Sequence, residues 1–456
     1  MEQGIPLPRR IWAVLSVSAG SVLYTLDGSI ANVALPTIAH ALGITASKAV
    51  ILVSGYNLVL AMVLLPLAAT GDRAGHRRIF TMGLVVYIIS AVACFFAGSF
   101  WLLVAARALQ AFAAASVLSV SLAMVRTIYP SHLLGRGLGL NTMASTLGAA
   151  IAPPLGGIVI ATLSWHWVFA LGAPLAVLAL CCVRHLPDPE LREEPYDKTG
   201  AILCALTFGL LVFGCQALSG LLSPVLAVAT VCTGILTAIL FVRHERNVSL
   251  PVLPVDLLAR PALALSVMSA LLAVLSSTEI LLYIPFRLSA LGLSTAAIGA
   301  MIAPYAIAVM LTAPSSGMLS DRVSPNVLGT AGLLMALISA LALAWIPDHP
   351  SYGDIAWRTA LCGVGFSMFF SPNGRLVVGS VPRHRAAGAS SLISTTRMFG
   401  QALGSTILGA LLALHLPPSA PGYVAAVLAA GALLCSALRM VVRPADSQMQ
   451  DVAVGA

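Results

Sequence analysis

The stretch LDGSIANVALP, residues 26–36, decides the fold of this chain, because it places the carboxylate of Asp27 inside an apolar run that begins at Ile11. That run is long enough to cross a bilayer, which takes roughly 20 mostly apolar residues. An aspartate at the centre of a spanning helix costs about 2.5–3.5 kcal/mol, so such residues usually face a bundle interior and take part in function. Asp27 is therefore the first candidate functional residue.

The rest of the chain has the composition of an integral membrane protein. Its 456 residues are 59% hydrophobic and 9% charged, whereas a typical soluble domain has about 25% charged residues. Apolar runs of spanning length recur from end to end and predict an all-α fold with fourteen spanning helices. We place these helices at residues 11–36, 48–70, 79–98, 101–126, 137–162, 166–183, 200–218, 223–242, 262–286, 295–319, 327–346, 355–380, 386–414 and 421–442.

The positive charges orient this predicted bundle. Eighteen of the 24 lysines and arginines lie on the same side as the termini, and only Lys48, Arg287 and Arg358 lie on the other side. Short cytoplasmic loops are enriched in lysine and arginine, so we expect both termini to be cytoplasmic. The net charge of +8 is explained in this way by topology, and we expect no nucleic-acid partner.

An internal repeat divides the chain. The segments GDRAGHRR (71–78) and GMLSDRVSPN (317–326) share an Asp-Arg pair 249 residues apart. Asp27 precedes the first pair by 45 residues and Glu279 precedes the second by 42, so these two acids occupy corresponding helices. We expect a six-helix bundle in residues 1–186, a linker with two extra spanning helices in 187–260, and a second six-helix bundle in 261–456.

Several motifs along the chain together resemble the major facilitator superfamily, and within it the fourteen-helix drug:H⁺ antiporter branch. LDGSIANVALP is similar to that branch's first-helix signature, through Asp27, Asn32 and residues 34–36. RALQA (107–111) resembles the fourth-helix motif, with Arg107 and Gln110 matching, and Arg397 resembles the arginine of the penultimate helix. The resemblance implies a bacterial cytoplasmic (inner) membrane protein.

Two further matches concern conformational change. The loop motif matches at Asp72, Arg73, Gly75, Arg77 and Arg78, and its second copy at Asp321 and Arg322. We expect the aspartate near a helix N-terminus to pair with an arginine across a helix interface and hold one conformer, the alternative being a solvated turn. GAAIAPPLGG (148–157) resembles the antiporter motif of the fifth helix at Gly148, Pro153, Gly156 and Gly157, which predicts a hinge or else a static packing seam.

The membrane acids and arginines are the candidate proton-coupling residues. Arg107 needs a counter-charge or carbonyl partners inside the membrane. Asp27 and Glu279 are the candidates, and bonding to backbone carbonyls alone is the alternative. Asp27 is predicted to carry the proton, with Glu279 sharing protonation or binding a cationic substrate. A salt bridge from Glu279 to Arg287 is the competing interpretation of that acid.

The function expected from these residues is export of lipophilic, cationic small molecules such as drugs and antiseptics. Proton and substrate would compete for the same acids while access alternates between the two sides. Six polar residues are candidates for the substrate path, although interhelical hydrogen bonds are an equally good interpretation of the amides: Asn32, Asn57, Gln110, Asn141, Asn373 and Arg397.

Other functions stay open at this point. The arginines at 107 and 397 would instead bind the solute in proton-coupled transport of an anionic metabolite or lipid, and a non-transporting membrane sensor or scaffold is a third possibility. Enzymatic activity is not expected, because no nucleophile with a base, metal cluster or phosphate loop stands out. The expected partners are a small-molecule substrate, protons and the lipid bilayer, with no metal or cofactor, and the chain is expected to be a monomer.

Overall fold

The computed structural model describes residues 5–130, 133–187, 197–217, 223–248, 253–320, 322–381, 385–414 and 416–441, and these form a helical bundle. The predicted motif residue Asp321 lies outside the described residues. The helices are α1 (Leu7–Ala41), α2 (Ala46–Ala74), α3 (His76–Phe95), α4 (Phe100–Ile128), α5 (Leu134–Thr162), α6 (His166–Ala170), α7 (Ala173–Cys182), α8 (Lys198–Ala217), α9 (Pro224–Glu245), α10 (Pro261–Ala290), α11 (Thr295–Leu319), α12 (Pro325–Ala344), α13 (Tyr352–Gly379), α14 (Ala386–Ala413) and α15 (Ala420–Val441).

Twelve helical segments in the described chain are long and apolar enough to cross a membrane, against fourteen expected. One of the twelve, His166–His185, combines α6 and α7 with a short 3-10 helix, Val183–His185. The two expected spans outside the twelve correspond to α13 and α14, which are of spanning length. Their polar and charged residues, such as Arg375 and Arg397, lower the mean hydropathy of both helices.

The sixth predicted span is present as His166–His185, and its helical hydrogen bonding is interrupted at Leu171 and Gly172, whose backbone angles stay helical. Pro174 sits in the first turn of α7, where a missing N–H group is tolerated but would interrupt a helix continuing from α6. Gly172 lies directly against the hydroxyl of Tyr87. The absence of a side chain at Gly172 therefore lets α3 approach closely.

Two sets of helices pack in corresponding ways. In the first set α1 packs against α5 and α7, and α3 against α4; in the second set α10 packs against α14 and α15, and α12 against α13. The two sets meet mainly through α5 with α11 and α2 with α14. Helix α8 packs on α2 and α14 where these meet, and α9 packs on α8. This arrangement resembles two similar halves with the extra helices at their edge.

The internal repeat extends to individual hydrogen bonds. Ser16 donates to the carbonyl of Ala179 at 2.8 Å, joining α1 to α7. Ser269 donates to the carbonyl of Ala432 at 2.9 Å, joining α10 to α15. Both bonds span 163 residues, and each residue of the second bond follows its counterpart by 253 positions (269 − 16 and 432 − 179). The same contact is thus built twice.

Glycine contacts repeat in the same way between the third and fourth helices of each half. A Cβ on Gly83 would lie 3.0 Å from the carbonyl oxygen of Ala113, and one on Gly332 would lie 2.6 Å from that of Gly365. The glycines are 249 positions apart (332 − 83) and their partners 252 (365 − 113). Both pairs need glycine because the helix backbones are in contact there. The offset of 252 relates positions in α4 to positions in α13.

Helices α5 and α11 of the two halves touch on the side opposite the termini, which we call the far side. A Cβ on Gly157 of α5 would lie 2.8 Å from the carbonyl oxygen of Thr295, and one on Gly299 of α11 would lie 2.6 Å from that of Pro153. Gly139 lies on the same face of α5, five turns nearer the termini, and a Cβ there would meet nothing within 4 Å. Helices α5 and α11 therefore diverge toward the terminus side.

The glycines of the fifth-helix motif have two different roles. A Cβ on Gly148 would lie 2.8 Å from the carbonyl oxygen of Val22, and one on Gly156 would lie 2.9 Å from Ile30, both on α1. This face is a packing seam within one half, as the second of the two expectations stated. Gly157 and Pro153 instead form the contact between halves. The surface that must separate when the far side opens therefore lies beside the face formed by Gly148 and Gly156.

Gly157→Val is expected to destabilise the conformation that is closed on the far side. The valine side chain meets the backbone of α11, which cannot move aside as a flexible side chain can. We expect labelling of a cysteine introduced at Thr37, at the far end of α1, to increase several-fold in membranes. Gly139→Val is the matched control, because the same change on the same helix meets open space; equal labelling of both variants would contradict this account of the seam.

The terminus side also carries an ion pair between the chain before α10 and the start of α14. Both terminal nitrogens of Arg385 donate to the carboxylate of Asp256, at 2.6 and 2.9 Å. These hydrogen bonds hold the pKa of Asp256 below its ordinary value. Asp256 lies in a short 3-10 helix, Val255–Ala259, that leads into α10. The ion pair of Arg385 and Asp256 therefore holds the segment before α10 against the start of α14.

Candidate functional site

Asp27 and Arg107 form an ion pair in the middle of the first half. Arg107 Nη1 on α4 lies 3.0 Å from Asp27 Oδ1 and 3.1 Å from Oδ2 on α1, and each residue is 1% exposed. The same nitrogen donates to Gln110 Oε1 at 2.9 Å. Residues 107 and 110 share a face of α4 because they are three positions apart. Arg107 thus has a carboxylate partner, and the alternative of backbone carbonyls alone is wrong.

Aromatic residues close this pair off from water. Tyr87 on α3 donates its hydroxyl to Asp27 Oδ1 at 3.1 Å. The Arg107 guanidinium lies over the ring of Tyr56, 4.2 Å from its centroid, and 5.1 Å from that of Phe169. A cation over an aromatic face is stabilised by the ring's quadrupole, by up to about 2 kcal/mol when desolvated. The tyrosines were not predicted, because they belong to no motif and resemble ordinary core residues in the sequence.

Glu279 is buried in the second half, where no described residue pairs with it. It is 0% exposed, and neither carboxylate oxygen has a hydrogen-bond partner among the described residues. Its neighbour Ser276 donates to the carbonyl of Ala425 on α15, and Thr278 packs on Gly404 of α14. This part of α10 therefore faces the interior of its own half.

The expected alternative for Glu279, a salt bridge to Arg287, is wrong. Arg287 lies two turns further along α10, and its Nη2 is 3.6 Å from Asp348 and 3.4 Å from the carbonyl oxygen of Ile346. The side chain of Arg287 thus turns toward the end of α12 instead. Nor is Glu279 the counter-charge of Arg107, whose ion pair in the described chain is with Asp27.

The repeat explains why the two acids differ. The offset of 252 between α4 and α13 relates Arg107 to Thr359, a neutral residue. Thr359 is buried and donates to a backbone carbonyl, that of Met301, at 3.1 Å. The second half therefore keeps an acid on its first helix but has no arginine at the matching place. An alignment of the two halves of the sequence, extended to Arg107 and Thr359, would have revealed this difference.

A cavity of about 70 Å³ lies between the halves, lined by residues of α1, α5, α10 and α11. Its polar lining consists of Ser29, Asn32, Thr146 and Tyr305, and no Asp, Glu, Lys or Arg is among its described lining residues. The volume is well below the roughly 300–1,000 Å³ of pockets for drug-sized ligands. Binding of such a ligand therefore requires the halves to separate further.

The structure brings only Asn32, of the six expected path residues, to this cavity. Gln110 belongs to the ion-pair network, where its amide nitrogen donates to the carbonyl of Phe169. Asn141 accepts from Ser21 at 2.8 Å, and Asn373 accepts from Arg439 at 2.6 Å. Both are interhelical hydrogen bonds, as the alternative interpretation stated. Two residues lie elsewhere: Asn57, half-buried on α2, and Arg397, exposed on α14.

The loop motif forms the tight turn between α2 and α3. Gly75 has φ of 98°, in the left-handed region that glycine adopts most easily. Asp72, in the last turn of α2, lies 2.9 Å from Nε2 of His76, the first residue of α3. The aspartate is thus near a helix N-terminus, as expected, and this described partner is a histidine of the same motif. Arg73 and Arg77 make contacts of their own, and Arg322 of the second copy is exposed.

Comparisons with known proteins agree with this architecture. The model of the Major Facilitator Superfamily matches residues 17–405. The chain is 35% identical over 413 residues to the uncharacterized transporter YebQ of Escherichia coli (strain K12), covering 90% of each chain. It is 28% identical to the multidrug resistance protein Stp of Mycobacterium tuberculosis (strain H37Rv), covering 89% of this chain and 76% of that one.

Solved structures share the fold at lower sequence identity. A bacterial homologue of the human lysosomal transporter Spinster, in an inward-facing and unoccupied conformation, superposes with a TM-score of 0.69 at 16% identity. The match covers 97% of this chain and all of that one. Since the family model covers most of the chain and YebQ is similar over nearly all of it, the chain belongs to the Major Facilitator Superfamily and is a transporter rather than an enzyme.

Proposed function

We propose that this protein is a proton-coupled secondary transporter that exports lipophilic, cationic small molecules by alternating access. The observation that carries the proposal is the buried ion pair of Asp27 and Arg107. A carboxylate that is buried in low dielectric beside a single cation has two stable states. It is either ionised and paired with the cation, or protonated and released from it. The similarity to the multidrug resistance protein Stp supports drugs as the class of substrate.

Protonation of Asp27 would change the packing of the first half. With a neutral carboxyl, the attraction between α1 and α4 weakens, and Arg107 keeps Gln110 and the ring of Tyr56 as its remaining partners. Helix α1 also packs on α5, which forms the far-side contact with α11. A proton on Asp27 is thus positioned to bias the opening of that contact.

Glu279 is proposed as a second protonation site. A buried carboxylate without partners is costly in its charged form, so this acid favours the neutral form in the conformation described. Its place on α10, next to α14 and α15, suits a group that takes up or releases a proton when the second half repacks. We propose that Glu279 and Asp27 both take up and release protons during transport.

Fourteen spanning helices and cytoplasmic termini belong to the same proposal. Helices α13 and α14 pack inside the second half at spanning length, which supports counting them with the twelve more apolar segments. The cavity then faces the cytoplasm, since α5 and α11 diverge toward the terminus side. Substrate would enter from the cytoplasm or the inner leaflet. An anionic substrate is less well supported, because Arg107 already holds a carboxylate.

The test is proton movement in inside-out membrane vesicles that contain the protein. Respiration acidifies the vesicle lumen, a pH-reporting dye follows it, and lipophilic cations such as ethidium and tetraphenylphosphonium are added in turn. We expect at least one cation to make the lumen less acidic in a concentration-dependent way, because protons leave as the cation enters. Vesicles from cells that lack the protein are the control, and no response to any cation of the panel would contradict the proposal.

A further inference from the structure

The two halves meet along two seams, each formed by one helix of either half. One seam is formed by α5 and α11, and the other by α2 and α14. In the second seam, a Cβ on Gly409 of α14 would lie 3.6 Å from Val50 of α2, so these helices touch on the far side. Acyl chains are as apolar as leucine side chains and therefore compete for any gap along a seam. What covers each seam decides where lipid can enter it.

Helix α8 lies over the seam of α2 and α14 and contacts both helices. The ring centroid of Phe208 lies 5.2 Å from that of Phe399 on α14. The next residue, Gly209, faces α2, where a Cβ would lie 2.9 Å from Cε of Met62. Consecutive residues of α8 thus contact opposite halves of the protein.

Residues of this seam are buried beneath α8 on the terminus side. Leu65 of α2 is 9% exposed and Leu392 of α14 is 3% exposed, and both belong to one apolar cluster with Phe208. Leu253, from the segment before α10, joins the same cluster. In the described chain, this part of the seam is therefore shielded from acyl chains.

Helix α8 is held in this position from two sides. Gln216 donates from Nε2 to the hydroxyl oxygen of Ser54 on α2 at 2.7 Å, in a buried hydrogen bond. On the outer side, a Cβ on Gly214 would lie 2.9 Å from the backbone nitrogen of Val231 on α9. Close backbone packing at small residues and interhelical hydrogen bonds are the contacts that hold helices together in a bilayer. Helix α8 is therefore fixed to the first half and supported by α9.

The seam of α5 and α11 is open in comparison. Neither α8 nor α9 packs closely on α5 or α11 in the described chain. Where these two helices diverge, Met143, one turn from Gly139 on α5, is 61% exposed. Met310, three turns from Gly299 on the same face of α11, is partly exposed. The two seams therefore differ in what covers them.

We propose that α8 seals the seam of α2 and α14 against the bilayer, so that acyl chains and lipophilic solutes pass between the membrane and the interior through the seam of α5 and α11. The inference rests on the transport function proposed above and assigns the side from which a substrate dissolved in the inner leaflet enters. It also gives the two extra helices a role, which is to make the two seams unequal.

The experiment is hydrophobic photolabelling of the full chain in lipid nanodiscs. A neutral aryl diazirine dissolves among the acyl chains and is activated by light, and mass spectrometry maps the residues to which it attaches. In the wild type we expect Met143 and Met310 to be labelled several-fold more than Leu65 and Leu392. Equal labelling of the two pairs would overturn the inference.

A variant of α8 tests whether this helix is the seal. Phe208→Ala removes the ring that lies on Phe399. We expect labelling of Leu65 and Leu392 to rise several-fold in this variant. Labelling of Phe80, which is 0% exposed in the core of the first half, is expected to stay at the wild-type level, which shows that the variant is folded.

The matched control is Phe213→Ala, the same substitution on the same helix at a side chain that is 42% exposed. We expect Phe213→Ala to be labelled like the wild type at Leu65 and Leu392. No rise at these two leucines in Phe208→Ala, or an equal rise in both variants, would contradict a seal formed by the buried face of α8.

A second probe follows the route of the proposed substrate class. A photoreactive derivative of tetraphenylphosphonium is expected to attach at Met143 and Met310 in the wild type, and also at Leu65 and Leu392 in Phe208→Ala. Attachment mainly at Leu65 and Leu392 in the wild type would place entry at the other seam and overturn the inference.

These outcomes are distinct from failure of the transport proposal. If both probes label the seams as expected but no cation moves protons in vesicles, the seal is correctly assigned and the transport proposal is wrong. If cations move protons while the neutral diazirine labels both seams equally, the protein is an antiporter and only the seal is wrong.

Discussion

Replacing Asp27 with asparagine is expected to lower cation-driven proton movement in inside-out vesicles by at least about 100-fold, because the substitution removes the carboxyl that is proposed to carry the proton. The amide has nearly the size of the carboxyl and can still accept the hydrogen bond of Tyr87. It cannot take up or release a proton, and it leaves Arg107 without its counter-charge. The initial rate of dye recovery after addition of ethidium is the measurement.

The control for this variant is Asp348→Asn. Asp348 is 87% exposed in its side chain and lies 3.6 Å from Arg287, so the same chemical change is made in an exposed ion pair. We expect that variant to match the wild type when expression in the membrane is equal. Proton movement by Asp27→Asn at more than about a third of the wild-type rate would show that the ion pair is not the coupling site.

Replacing Arg107 with methionine is expected to destabilise the folded protein by about 3–5 kcal/mol near neutral pH, the usual cost of removing one partner from a buried ion pair. Asp27 would remain buried, with the hydroxyl of Tyr87 as its described partner. The measurement is the thermal unfolding midpoint of purified protein at pH 8.

A double variant separates the lost pair from other effects of the substitution. Asp27→Asn combined with Arg107→Met removes both charges, so we expect it to be more stable than Arg107→Met alone at pH 8. Arg126→Met is the control, since Arg126 is an exposed residue in the last turn of the same helix. Equal midpoints for Arg107→Met and Arg126→Met would contradict the account of a buried, mutually dependent pair.

Much of the fold follows from the sequence because a membrane imposes simple rules on it. Apolar runs of spanning length had to be helices, because a helix satisfies its backbone hydrogen bonds within one segment of the bilayer. The interruption at Leu171 and Gly172 was not predicted, because Pro174 is compatible both with a helix start and with a kink. The count of spans differed because α13 and α14 carry polar and charged residues that lower their mean hydropathy.

The candidate site was only partly predictable for a different reason. A charge buried in a membrane needs a partner, so Asp27 and Arg107 could be matched from charge alone. Neutral amides such as Asn141 and Asn373 have no such requirement, and whether they face a cavity or bond to a neighbouring helix depends on helix rotation. The rotation of α1, which turns Asp27 and Asn32 in different directions, becomes evident only from the contacts of its neighbours.

The neutral Thr359 in the place that corresponds to Arg107 makes the two halves electrically unequal. Once protonated, Glu279 carries no charge and leaves no arginine at the place that corresponds to Arg107, whereas protonated Asp27 leaves a net positive charge on Arg107. A membrane potential would act on that newly uncompensated charge, at about 2.3 kcal/mol for each elementary charge moved through 100 mV. The turnover of the transporter would then depend on voltage as well as on the pH difference, even when the solute it carries is uncharged.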